Sequence, residues 1–157
     1  DGWRFFDLGR RIERGIAIAR AARAFAAPEA GIDALDLLLG LADGRVTYRT
    51  RYLSGTARRP VLDLVLLDEG HPRAVAYQVV RIGEHLARLT GRREGALLEP
   101  AERLAQRLVT RLETTDAGAF DAAGIETIEA ELMGLSDTIT AHWFGRTLPL
   151  ADDEVEA

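Results

Sequence analysis

The sequence has no cysteine and no lysine, and its single methionine is Met133. Without thiols there can be no disulfide framework, thiolate zinc site or cysteine nucleophile. Long apolar runs are missing too. The densest, Val61-Leu62-Asp63-Leu64-Val65-Leu66-Leu67, falls well short of the roughly 20 residues that span a bilayer. The opening Asp1-Gly2-Trp3-Arg4 is charged and aromatic where a cleavable leader would be apolar. A cytoplasmic protein is the expectation, with no membrane association. No Gly-x-Gly-x-x-Gly follows a strand, and there is no Walker-type Gly-Lys-Ser/Thr, His-Glu-x-x-His or Gly-x-Ser-x-Gly. The three histidines are scattered, so neither a metal nor a cofactor is expected.

What remains is globular: 157 residues, 47% apolar and 29% charged, with a net charge of −5. That acidity disfavours nucleic acid as a partner, because phosphate contacts require a basic surface. All 20 basic residues are Arg, whose planar fork suits ion pairing. One domain is expected over residues 1–150, followed by an acidic frayed tail over 151–157.

Apolar spacing of three and four residues recurs along the chain and predicts an all-α fold, an antiparallel bundle of five to six helices. The first helix is expected over 2–27, with Phe5, Leu8, Ile12, Ile16, Ala19 and Ala22 inward. Arg4, Asp7, Arg11 and Arg14 are expected on its opposite side, Asp7 and Arg11 spaced for an i,i+4 pair. A Leu-rich helix follows over 32–41. The stretch 46–52 is rich in β-branched and aromatic residues but lacks a strand partner, so helix is favoured. Pro60 should open a central helix reaching Asp68, Pro72 the next, and Pro100 a fifth; a sixth is expected over 121–142.

Glu13 falls near Gly9 and Arg20, which suggests the edge of the apolar stripe and an ion-pair partner such as Arg10. Asp63 is the one charge in its apolar run and should need a hydrogen-bonded Arg. These two are the candidate acids. Around His71-Pro72-Arg73, a helix start and Arg73 could hold an anion; the plainer reading has His71 capping the helix and Arg73 pairing with Asp68 or Glu69. Gln78 and His85 flank the next apolar stripe, where a lone His reads as a packing residue. Arg45, Arg49, Arg51, Arg58 and Arg59, interleaved with Tyr48 and Tyr52, read as a solvated or ion-paired face, with RNA binding as the sharper alternative.

Three segments together resemble the alpha-E family, bacterial α-helical proteins with a Glu-Arg motif. They are Gly2-Trp3-Arg4-Phe5-Phe6-Asp7-Leu8-Gly9-Arg10-Arg11-Ile12-Glu13-Arg14, Tyr48-Arg49-Thr50-Arg51-Tyr52, and the Val61–Asp68 run followed by Pro72-Arg73-Ala74-Val75-Ala76-Tyr77-Gln78. The resemblance implies that the chain is the second half of a longer protein, with the remaining half as one partner. His71 stands where the family more often has Asn, which argues against catalysis by it. The resemblance further implies work beside an ATP-grasp-type ligase or a transglutaminase-like protein in a peptide or amide-bond pathway. The expected role is a non-catalytic docking or substrate-presenting module. Trp3, Arg10, Glu13, Arg14, Tyr48, Arg49, Arg51, Arg73 and Gln78 would then line its interaction surface or polar core. The alternative is an enzyme subunit in which Glu13 and Asp63 act as acid and base while Arg49, Arg51 and Arg73 hold a carboxylate or phosphate.

Overall fold

The computed structural model describes residues 1–93 and 95–145; the acidic segment 151–157 lies outside them. Seven α-helices are found among the described residues and no strand: α1 Gly2–Phe25, α2 Ile32–Leu41, α3 Arg45–Arg51, α4 Arg58–Leu62, α5 Val75–Thr90, α6 Pro100–Thr114 and α7 Ala122–Phe144. A π-helical turn, Asp63–Leu67, prolongs α4, and a 3-10 turn, Ala117–Ala119, precedes α7. The all-α expectation holds, with one more helix than the upper count.

Helix ends follow local chemistry. Pro100 opens α6 behind a capping box in which Glu99 and Glu102 bond each other's backbone. Asp121 caps α7 by accepting from the Gly124 N–H at 2.7 Å. Gly91, at φ 56°, closes α5 in the left-handed region. Pro72 does not begin α5, which starts three residues later. The Ala74 N–H bonds the His71 carbonyl, and the Gln78 side chain takes the Pro72 carbonyl at 2.7 Å, so this turn is pinned outside the helix.

The long helices form the body. α1 packs against both α5 and α7, and α6 against both α5 and α7. The π-helical turn contacts α1, α5 and α6. Val61, Leu62, Leu64, Val65 and Leu66 are accordingly sealed from solvent, as an apolar central segment should be. Gly15 permits the α1–α7 approach: a Cβ there would sit 3.1 Å from Leu132 Cδ1. Two flanking helices widen the buried face of α1 to Leu8, Ile12, Gly15, Ile18, Ala19 and Ala22. They also draw Asp7, Arg11 and Arg14 to half-burial, away from the solvent side where the single-stripe reading put them.

Candidate functional site

The exposed arc of α1 carries Trp3, Phe6, Gly9, Arg10, Glu13, Ala17 and Arg20. Glu13 is therefore corrected from stripe edge to open surface. It makes no ion pair among the described residues, because α5 and α7 cover the other sides of the helix. Trp3 is 66% and Phe6 65% exposed. Arg10 lies over the Phe6 ring at 5.6 Å, and Trp3 meets the His85 ring edge-on at 5.5 Å.

Behind this arc, where α1 meets α5, runs a buried polar chain. Asp7 Oδ2 accepts from Arg11 Nε at 2.6 Å and lies 2.7 Å from His85 Nε2. Arg11 reaches the Gln78 side-chain oxygen at 3.4 Å and rests over Tyr77 at 5.7 Å. Gln78 is fully buried, with its amide nitrogen on the Pro72 carbonyl. Burial works to raise the Asp7 pKa, but the bonds and charges of Arg11 and His85 outweigh it and hold the carboxyl below its ordinary value. His85 Nδ1 is buried without a partner among the described residues. Sequence reasoning missed His85 as a polar partner, and it had Asp7 and Arg11 paired but facing water. The signal available was the i,i+4 spacing, which gives the pair without its facing.

The third feature is a surplus of positive charge. Arg14, half-buried, makes no hydrogen bond or ion pair among the described residues. Desolvation and the charges of Arg73, Arg10 and Arg11 all push its pKa down, against Asp7 alone. Glu13, next to it in sequence, supplies no counter-charge. Arg73 is exposed and pairs with neither expected acid, since Asp68 is taken by Arg51 at 2.5 Å. His71 does not cap α5; it is buried with Nε2 2.8 Å from the Ala42 carbonyl oxygen.

The segment from Arg45 to Arg59 resolves mostly into internal bonding. Tyr48 is buried, its hydroxyl bonding the Gly55 carbonyl and the Ala57 N–H. Arg58 donates to the Ala26 and Phe120 carbonyls, and Arg59 pairs with Asp116. Only Arg49 of these five arginines has no hydrogen bond or ion pair among the described residues. Asp63 is half-buried rather than sealed, and its partner is a phenol instead of a guanidinium: Tyr52 donates to it at 2.7 Å. Burial, with the bond and charge of Asp63, pushes the Tyr52 pKa up to about 12. Both line a cleft of about 570 Å³ with Arg59, Leu67, Leu112, Thr115 and Asp116. Glu13 and Arg73 are absent from that cleft, so the two candidate acids do not meet. Of the expected residues, the structure bonds Gln78 to Arg11 and sets Arg10 over Phe6 on the same exposed arc as Trp3 and Glu13. Asp63 lines one cleft with Tyr52, while Tyr48 and Arg49 line another. Among the described residues no three His, Asp or Glu side chains gather as a metal set. No helix there is long and apolar enough to cross a membrane.

Residues 1–144 match the Alpha-E family, described as a predicted alpha-helical domain with a conserved ER motif, and the chain belongs to that family. An uncharacterized protein of Mycobacterium bovis and another of Mycobacterium tuberculosis are each 28% identical to it over 138 residues. The match covers 85% of this chain and 15% of each relative, so the chain spans about 15% of their length. No solved structure matches. The chain holds two Glu-Arg pairs, Glu13-Arg14 and Glu102-Arg103. In the second the acid is buried in a helix cap, whereas in the first the acid is exposed and the Arg half-buried.

Proposed function

We propose that this domain is a non-catalytic docking or substrate-presenting module in an ATP-dependent peptide or amide-bond pathway. Its partners would be an ATP-grasp-type ligase or transglutaminase-like protein, and the remainder of its own longer chain. The pathway class is what the resemblance to the family implies. The observation that carries the docking role is the arc on α1, where Trp3 and Phe6 stand two-thirds exposed beside Arg10. Trp, aromatic and Arg side chains are those that anchor protein interfaces, and water is a poor environment for two such rings. An acid–base site is less well supported, because Glu13 lies in open solvent and Asp63 faces a different cleft.

The test is direct binding between this domain and an ATP-grasp-type protein encoded beside it, measured with the purified pair. Trp3→Ser combined with Phe6→Ser should weaken binding by about tenfold or more while leaving the helical circular dichroism unchanged. Binding unaffected by that double change, or no binding to the ligase at all, would overturn the docking role.

A further inference from the structure

We infer that the cleft beside Asp63 binds an organic cation, an ammonium or guanidinium head on a short aliphatic chain. None of its lining residues belongs to α1, so the inference does not rest on the docking arc. Its volume of about 570 Å³ lies within the range of small-molecule pockets. One wall comes from the π-helical turn, whose two end residues, Asp63 and Leu67, both line the cleft. Such turns are rare in proteins and frequent at functional sites. Residues 112–117, running from the last turn of α6 into the 3-10 turn, supply another wall.

The hydrogen bonding of the lining side chains selects the ligand. Tyr52 gives its hydroxyl proton to Asp63 at 2.7 Å, and a phenol whose pKa is pushed up to about 12 keeps that proton at neutral pH. Thr114 donates to the Thr110 carbonyl and Thr115 to the Arg111 carbonyl, both at 2.7 Å. Carbonyls and carboxylates only accept, so these three hydroxyls have lone pairs alone left to offer. The carboxylates of Asp63, Glu113 and Asp116 add further acceptors. Arg59, the one cationic side chain in the lining, is spent on Asp116, with Nε at 3.2 Å and Nη2 at 2.5 Å. Arg51, next to Tyr52, is held by Asp68.

Asp63 thus accepts from Tyr52 alone among the described residues, while a carboxylate has room for about four such bonds. A half-buried acid short of donors, in a cleft whose side chains offer acceptors, suits a head group that brings several N–H donors and a positive charge. Pro60, Leu67, Leu112 and Ala117 give apolar contact to the chain behind that head. An anionic ligand would find only the exposed Arg59, and would have to take it from Asp116.

The intact domain should be titrated by calorimetry with n-butylammonium, with agmatine and with a capped Gly-Lys-Gly peptide, at equal ionic strength. Saturable binding is expected from the free amines, from the peptide or from both, and the tighter of the two identifies the source of the cation. Tetramethylammonium, which carries the charge without an N–H, should bind at least about tenfold more weakly than the better ligand, and butyrate should not bind. Asp63→Asn keeps an acceptor for Tyr52 and should weaken binding about tenfold, the scale of one charged hydrogen bond. Glu113→Gln, an exposed change, should weaken it about threefold. Arg59→Gln removes a competing cation and should leave binding unchanged or tighten it. Absence of binding, equal affinity for tetramethylammonium, loss of binding in Arg59→Gln, or an affinity unmoved by both acid changes would each overturn the site.

Discussion

Arginines along α1 are used in two opposite ways. Toward its C-terminus, Arg20 and Arg23 face α7, which offers Glu126 and Glu129 three residues apart on one side. Arg20 reaches Glu129 at 2.5 Å, and Arg23 reaches Glu126 at 3.2 Å and Glu129 at 3.4 Å. Earlier in the helix Arg11 is closed by Asp7 at 2.6 Å, whereas Arg14 makes no hydrogen bond or ion pair among the described residues and stands in the field of Arg10, Arg11 and Arg73. The same side chain on the same helix is thus closed by an internal carboxylate at Arg11, Arg20 and Arg23 and left unmatched at Arg14.

The comparison breaks most visibly at Glu129. Its side chain is only 11% exposed, and two arginines depend on it. Glu129→Ala should cost about 2 kcal/mol in denaturant unfolding. A higher figure is not expected, because Arg20 and Arg23 keep 57% and 36% of their side-chain surface in water and stay hydrated when released. A loss under about 0.5 kcal/mol would make paired and unpaired arginines energetically alike and leave the contrast without content.

Much of the apolar face of α1 was readable in advance and little of its polar pairing was. Leu8, Ile12, Ala19 and Ala22 recur at helical spacing, so α1 and its buried stripe follow from periodicity alone. The stretch before Tyr52 is helical as expected, and no strand occurs among the described residues to pair with it. The facing of Glu13 and Arg14 could not be read this way. One stripe defines one buried side, whereas α1 is clasped on two, and the second side is set by helices about 70 and 120 residues further on. Asp63 shows a related gap. An acid in an apolar run demands a donor, but the demand does not say which one, and a loop returned Tyr52 to it before any Arg. The 570 Å³ cleft beside that pair is a product of tertiary packing and left no local trace.

A smaller effect, with a pH signature, tests the acid that closes Arg11. Asp7 is 13% exposed at its side chain, and its folded pKa lies below the ordinary 3.8. The unfolded chain therefore takes up its proton first as pH falls. The contribution of Asp7 is fully present above the unfolded value and is lost as pH drops through the folded one. Asp7→Asn should cost about 1 kcal/mol at pH 7, since the amide keeps one acceptor oxygen for Arg11 or His85. It should also flatten the acid limb of stability between about pH 4 and pH 2, as urea unfolding at a series of pH values would show. An unchanged acid limb would mean that the carboxylate is not what anchors Arg11 and His85.

The smallest expected change is also the most discriminating, because its sign differs from that of every paired arginine. Arg14→Met keeps a half-buried aliphatic stem and removes the head group that finds no acceptor among the described residues. Removing a guanidinium from a salt bridge lowers stability, but removing one from among Arg10, Arg11 and Arg73 relieves repulsion and desolvation together. Stability in low salt should therefore hold within about 0.5 kcal/mol or rise slightly, and any gain should shrink as salt screens the cluster. In thermal melts paired and unpaired arginines of α1 would then separate cleanly, with Arg23→Met losing stability and Arg14→Met losing none. A drop of more than about 1 kcal/mol for Arg14→Met would show that Arg14 already holds an internal partner. The contrast between Arg14 and the paired arginines of its helix would then disappear.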